Sequence, residues 1–127
     1  MNEKLKKTFD NLIGCQIIDI NEDSITVRKR DELYDISFDK YDGDCCGYAE
    51  IKKELFFEPN NENNPVITNW ATSEEENDYS QIVTLTLFGM KKPLVKYEFE
   101  CGSGSGWGYG ATIQINCRDA NETLCSW

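Results

Sequence analysis

A run in which every second residue is glycine dominates the last quarter of the sequence. From Gly102 to Gly110 the chain reads Gly-Ser-Gly-Ser-Gly-Trp-Gly-Tyr-Gly, and a repeat of two is the side-chain period of an extended strand. One face of this ribbon is therefore bare backbone. The run predicts either the bends and bulges of a long, twisted hairpin or a surface that another backbone approaches closely. In the second case Trp107 and Tyr109 would be the binding anchors.

The segments on both sides of the glycine run continue the alternation. Their apolar residues are all odd-numbered: Val95, Tyr97, Phe99, Cys101, Ala111, Ile113, Ile115 and Cys117. If both odd faces contact one core, the two segments pair as a hairpin in which Phe99 lies opposite Ile113. The same parity predicts that the even-numbered Glu98 and Glu100 are exposed.

The remaining sequence predicts a mainly β fold, an antiparallel, sandwich-like single domain over residues 1–127 with a short N-terminal helix. Leu5, Phe9 and Leu12 recur at helical spacing and predict that helix. Three β-rich runs then predict a meander. The predicted strands cover residues 15–20, 24–30, 33–38, 48–57, 65–71 and 81–88.

Two polar segments interrupt or follow these strands. Residues 73–80 contain no apolar side chain except Tyr79, so we predict a solvated acidic loop there. The tail, residues 118–127, is polar until Leu124, Cys125 and Trp127. That pattern predicts that the tail docks on the body of the domain.

The charge is strongly negative and unevenly distributed. The net charge is −10, and residues 41–80 hold ten acids against two bases, a net of −8. Nucleic acids and anionic membranes are poor partners because binding them requires Lys and Arg, whereas a basic protein surface is a good partner. The alternative is that the acids only keep the domain soluble. The candidate partner contacts are Glu74, Glu75, Glu76, Asp78 and Trp107.

The chain contains no histidine, which removes the commonest general base, the Ser-His and Cys-His nucleophile pairs and every imidazole metal site. The acids lie in runs on predicted loops and do not converge on a pocket. The Gly-x-Gly run is followed by a predicted strand, whereas phosphate-binding loops lead into a helix. We therefore predict that the chain is not an enzyme.

The six cysteines suggest a metal. The longest apolar stretches are strand-sized and the first residues lack the apolar run of a secretory signal, so we expect a cytoplasmic protein with reduced thiols. Two pairs of thiolates would suit a structural zinc ion. The candidate ligands are Cys45, Cys46, Cys117 and Cys125. Two alternatives stay open: Cys15 or Cys101 replaces one of the four, or all four are structural thiols without metal.

Around Asp44-Cys45-Cys46 the chain resembles a small family of proteins encoded by phages of Gram-positive bacteria. Members share a leading Gly-x-x-Ile strand, an Asp-Cys-Cys motif after a meander, a strand rich in Thr and aromatics, and a closing hairpin with a Gly-Tyr-bearing turn. These features correspond here to residues 14–17, 44–46, 82–88 and 107–109.

Small acidic phage proteins without catalytic residues are similar to anti-CRISPR proteins, in particular zinc-containing inhibitors of the type II-A nuclease Cas9. The resemblance implies a phage protein that acts in the cytoplasm of the infected bacterial host. It implies stoichiometric binding to Cas9 through an acidic surface, which blocks DNA loading or cleavage. Two other functions stay open: a phage structural or assembly β-domain, and a small-molecule binding module.

Overall fold

The computed structural model describes residues 2–41, 47–59, 63–103, 110–117 and 120–127. Within them the chain forms one helix, α1 (Glu3–Asp10), and nine strands. The strands are β1 (Gln16–Ile20), β2 (Ser24–Lys29), β3 (Glu32–Tyr41), β4 (Gly47–Leu55), β5 (Asn69–Glu76), β6 (Ser80–Gly89), β7 (Lys92–Ser103), β8 (Thr112–Cys117) and β9 (Ala120–Ser126). The predicted mainly β fold is confirmed.

The strands form two antiparallel sheets. The first sheet has the order β1-β2-β3-β8-β9, and the second has the order β4-β7-β6-β5. The two sheets share an aromatic core, in which the Phe38 ring of the first sheet contacts the rings of Tyr97 and Phe99 of the second at centroid distances of 4.8 and 4.9 Å. The predicted meander is confirmed as β1, β2 and β3.

Helix α1 forms at the predicted place. The side chain of Asn2 caps it by accepting a hydrogen bond from the backbone N–H of Leu5 at 2.7 Å, which satisfies a donor that the first turn leaves free. Leu5 and Phe9 are buried, and the Phe9 ring packs on the ring of Trp70 in β5 with a centroid distance of 5.1 Å. The helix therefore covers one end of β5.

The predicted hairpin between the segments that flank the glycine run is wrong. Phe99 in β7 lies opposite Ile51 and Val83, while Ile113 in β8 belongs to the other sheet. Both strands turn their odd-numbered residues towards the core between the sheets, so the burial alternation is the same as in a hairpin. Parity identifies the buried face of a strand, but it does not identify the neighbouring strand.

The charged residues on the even face of β7 are only partly as predicted. Glu98 and Glu100 are half-buried, because β7 is a central strand with β4 on one side and β6 on the other. The neighbouring side chains of those strands cover part of each carboxylate stem. Tyr97 and Phe99 are buried as predicted.

The two ends of the glycine run are places where backbone approaches closely, and the approaching backbone is the chain's own. A Cβ atom on Gly102 would lie 2.4 Å from the carbonyl oxygen of Tyr79, and one on Gly110 would lie 1.1 Å from that of Trp127. No side chain fits at such distances. Residues 104–109 between them lie outside the described residues.

The C-terminal tail docks as predicted. Strand β9 pairs with β8, and Leu124 and Cys125 are buried against the core. The backbone N–H of Trp127 donates to the carbonyl oxygen of Ala111 at 2.9 Å. This bond holds the chain end beside Gly110, which explains why that position lacks a side chain.

Candidate functional site

The acidic segment predicted as a loop is mostly strand. Residues 73–76 form the second half of β5, in which Glu74 lies opposite Val83 and Glu75 lies opposite Ile82. Only residues 77–79 form the turn into β6. Pairing with β6 uses backbone groups and needs no apolar side chain, so an exposed edge strand has the composition of a loop. The loop prediction for residues 73–80 is therefore wrong.

The pairing of the strands brings acids from β4, β5 and β7 to one end of the second sheet, beside the turn of residues 77–79, and we call this the acidic end. It comprises Glu50 of β4, Glu74, Glu75 and Glu76 of β5, Asp78 of the turn and Glu100 of β7. Lys and Arg are absent from this end in the described strands and in the turn. The four predicted partner-binding acids are all exposed and lie together. Trp107, the fifth predicted contact, lies outside the described residues.

Three of these carboxylates share one row across the sheet. Glu50 lies opposite Glu100, Glu100 lies opposite Ile82, and Ile82 lies opposite Glu75. Side chains directly opposite in an antiparallel pair lie on the same face about 5 Å apart, and like charges there are destabilising. Repulsion between Glu50 and Glu100 therefore lowers the stability of the folded sheet. A loss of stability of this kind is expected where a surface is used for binding.

The other end of the second sheet has a different electrostatic character. Lys52 lies opposite Glu98, and Glu54 lies opposite Lys96, so charges of opposite sign alternate across these strands. These residues and Lys53 line a shallow cleft of about 340 Å³. The uncompensated negative charge of the sheet is consequently concentrated at its acidic end.

Two tyrosines accompany the acids. Tyr79 is 55% exposed in the turn, beside Asp78. Tyr48 donates its hydroxyl hydrogen to a carboxylate oxygen of Glu100, and this hydrogen bond is the main cause of a raised pKa of Tyr48. An exposed aromatic ring among charged groups is typical of interface anchors. Tyr79 was not among the predicted contacts, although it is the one aromatic residue of the acidic segment 73–80 and could have been found on that ground.

The predicted zinc ligands are not brought together where they are described. Cys45 and Cys46 lie outside the described residues. Cys117 lies opposite Ala120, whereas Cys125 lies opposite Ile113, and four residues of strand span about 13 Å. Two thiolates that bind the same zinc ion each lie about 2.3 Å from it. The pairing of Cys117 with Cys125 as joint ligands therefore requires a different arrangement of β8 and β9.

Cys125 has other partners in this structure. Its thiol donates to the carbonyl oxygen of Gln81 at 3.3 Å, and a hydrogen bond with the side chain of Cys101 is the main cause of its lowered pKa. Burial raises the pKa of the Cys15 thiol. Among the described residues, no three Cys, Asp or Glu side chains form a group suited to hold a metal ion. Zinc binding stays a prediction.

We compared the chain with protein-family models, with curated proteins and with solved structures. No match was found. The described part of the chain also contains no helix that is long and apolar enough to cross a membrane. The geometry and the charge of the acidic end are therefore the features from which a function can be inferred.

Proposed function

We propose that this chain is a non-catalytic binding protein whose acidic end occupies a basic surface of another protein. The observation that supports the proposal is the concentration of six carboxylates at one end of a sheet, whereas at the other end Glu98 lies opposite Lys52 and Glu54 lies opposite Lys96. Because these side chains stand on paired strands and on the three-residue turn 77–79, their positions are largely set before the partner binds. Pre-organisation of this kind lowers the entropy cost of binding.

Electrostatics favours the same function. A cluster of like charges attracts an oppositely charged surface over several ångströms and accelerates the encounter between the two proteins. Tyr79, exposed beside Asp78, supplies an aromatic anchor that buries apolar area once contact is made. Binding also relieves the repulsion between Glu50 and Glu100 if a Lys or Arg of the partner lies between them.

The resemblance to type II-A anti-CRISPR proteins supports Cas9 of the bacterial host as the partner. Cas9 holds nucleic acid in a positively charged channel and reads the PAM with arginines, so it offers the required basic surface. The proposed activity is stoichiometric inhibition, in which the acidic end blocks DNA loading or cleavage. Such inhibition needs no catalytic residue in the chain.

A titration of target DNA cleavage tests this function. The chain is added to guide-loaded Cas9, and the variant Glu74→Gln, Glu75→Gln, Glu76→Gln, Asp78→Asn is compared with wild type. The matched control neutralises four exposed acids elsewhere, with Glu3→Gln, Glu22→Gln, Asp31→Asn and Glu58→Gln. We expect wild type and control to inhibit in proportion to their concentration and not to time. We expect the acidic-end variant to need about tenfold more protein.

A pull-down against guide-loaded and guide-free Cas9 identifies the blocked step. Binding to the guide-free form alone indicates competition with the guide, binding to both forms indicates a surface that the guide leaves open, and binding to the loaded form alone indicates a surface created by the guide. Failure to bind either form contradicts Cas9 as the partner. Equal inhibition by all three proteins contradicts the role of the acidic end.

A further inference from the structure

Strand β5 is the outer strand of the second sheet, and the direction of its backbone groups follows from the turn. The N–H of Asn77 donates to the carbonyl oxygen of Ser80 at 2.8 Å, so these residues form a hydrogen-bonded pair. Hydrogen-bonded and non-hydrogen-bonded pairs alternate along an antiparallel ladder. The pairs of Ser73 with Thr84 and of Glu75 with Ile82 are therefore hydrogen-bonded.

The intervening residues point their backbone groups away from the sheet. By the same alternation, the N–H and C=O groups of Thr72, Glu74 and Glu76 face outward. A hydrogen bond on the other side of β6 is consistent with this alternation: the N–H of Ser103 in β7 donates to the carbonyl oxygen of Tyr79. The backbone carbonyl of Tyr79 thus faces β7, and the backbone carbonyl of the next residue, Ser80, faces β5.

The outward groups are open along only part of the strand. At the start of β5, the N–H of Trp70 is satisfied by the side-chain oxygen of Asn69 at 2.9 Å, and the indole N–H donates to Asp10 of α1. Within the described parts of the chain, no backbone or side-chain hydrogen bond reaches the outward groups of Thr72, Glu74 and Glu76. An open edge of five residues, 72–76, remains.

The negative charge of the glutamates in β5 determines which kind of strand can pair with this edge. Glu74 and Glu76 lie on the face of the second sheet that also carries Val83 of β6, and Glu75 lies on the opposite face beside Ile82. A second copy of β5 would bring glutamates against glutamates, which is unfavourable. A strand with Lys or Arg at three consecutive positions would place a base beside each carboxylate, on both faces of the sheet.

We propose that residues 72–76 of β5 bind an extended, basic segment of the partner protein by strand addition, which extends the second sheet by one strand. Backbone hydrogen bonds to Thr72, Glu74 and Glu76 provide the register, and the glutamates select the charge. This inference rests on the proposed function, because it describes how the same acidic surface holds its basic partner.

Amide hydrogen exchange tests the inference directly. The probe is the capped peptide Thr-Val-Lys-Arg-Lys-Val-Thr, and the control peptide carries a methyl group on the backbone nitrogen of both lysines, which keeps the charge but removes the N–H groups that would face β5 in an antiparallel pairing. In the free chain we expect slow exchange at Ser73 and Glu75 and fast exchange at Glu74 and Glu76. At saturating probe, exchange at Glu74 and Glu76 should slow by about tenfold.

Two variants provide an independent measurement. Thr72→Pro removes an outward N–H without changing the charge, and edge strands tolerate proline at such positions. Thr72→Ala keeps the N–H and serves as its control. We expect the proline variant to bind the probe about fivefold more weakly and the alanine variant to bind it as wild type does. Exchange in wild type remains decisive if Thr72→Pro does not fold.

Two results overturn strand addition: binding of the probe without slower exchange at Glu74 and Glu76, or equal affinity for both peptides. Either result leaves the proposed function standing, because the acidic end then binds through side chains alone. Loss of Cas9 inhibition in the acidic-end variant is a separate measurement and decides the proposed function.

Discussion

At the scale of single residues, Tyr97 connects the two sheets. Its ring is buried in the aromatic core, and its hydroxyl donates to the carbonyl oxygen of Asn21, between β1 and β2, at 3.0 Å. Burial is the main cause of a pKa of Tyr97 well above its usual value. The neutral form of Tyr97 is therefore favoured in the folded state.

This residue gives a pH prediction. In the unfolded chain Tyr97 ionises near pH 10, whereas in the folded chain it stays protonated, so the unfolded state binds fewer protons above that pH. The free energy of unfolding consequently falls as pH rises above about 10. Tyr97→Phe should cost about 1 kcal/mol at neutral pH through loss of the hydrogen bond and should reduce the alkaline decline. Denaturant unfolding at pH 7–11 measures both effects.

The control is Tyr79→Phe, since Tyr79 is exposed. We expect this variant to unfold like wild type at every pH. An alkaline decline that is identical in Tyr97→Phe and wild type would contradict the assignment of that decline to Tyr97.

At the scale of elements, Gly102 determines how closely three strands approach. It lies in β7 between Tyr48 of β4 and Ser80 of β6, and an added Cβ would lie 2.4 Å from the backbone oxygen of Tyr79. Gly102→Ala should therefore shift the turn of residues 77–79 and cost about 1–3 kcal/mol of unfolding free energy. Thermal or denaturant unfolding measures the loss. Unchanged stability would show that the strands do not approach so closely.

The elements also show how far the sequence predicts this fold. Alternation identified β1, β2 and β3 because each has one buried face, and short turns made them neighbours. It failed for β7 and β8, whose buried faces meet across the core and not within one sheet. It missed the second half of β5 because an edge strand held by backbone bonds needs no apolar residue.

The candidate site was predictable only in part. The concentration of acids in residues 41–80 was visible in the sequence and indicated Glu74, Glu75, Glu76 and Asp78. The contribution of Glu100 was not visible, because it depends on the register that sets β7 opposite β4 and β6. Cys117 and Cys125 were paired through their separation along the chain, whereas the β8–β9 register separates them.

At the scale of the whole molecule, the charges of the second sheet are unevenly distributed between its two ends. One end has six carboxylates without a base among the described strands and the turn, and the other end pairs Lys52 with Glu98 and Glu54 with Lys96. Exposed charges are screened over a Debye length of about 8 Å at physiological ionic strength. A complex held by the acidic end must therefore weaken as salt is raised.

The salt dependence of binding to Cas9 measures the contribution of the acidic end. The dissociation constant is measured between low and high salt for wild type and for the variant in which Glu74, Glu75, Glu76 and Asp78 are all neutralised. We expect wild-type affinity to fall steeply with salt and the variant to bind more weakly at low salt with a flatter dependence. Equal affinities for the two proteins at every salt concentration would contradict binding through the acidic end.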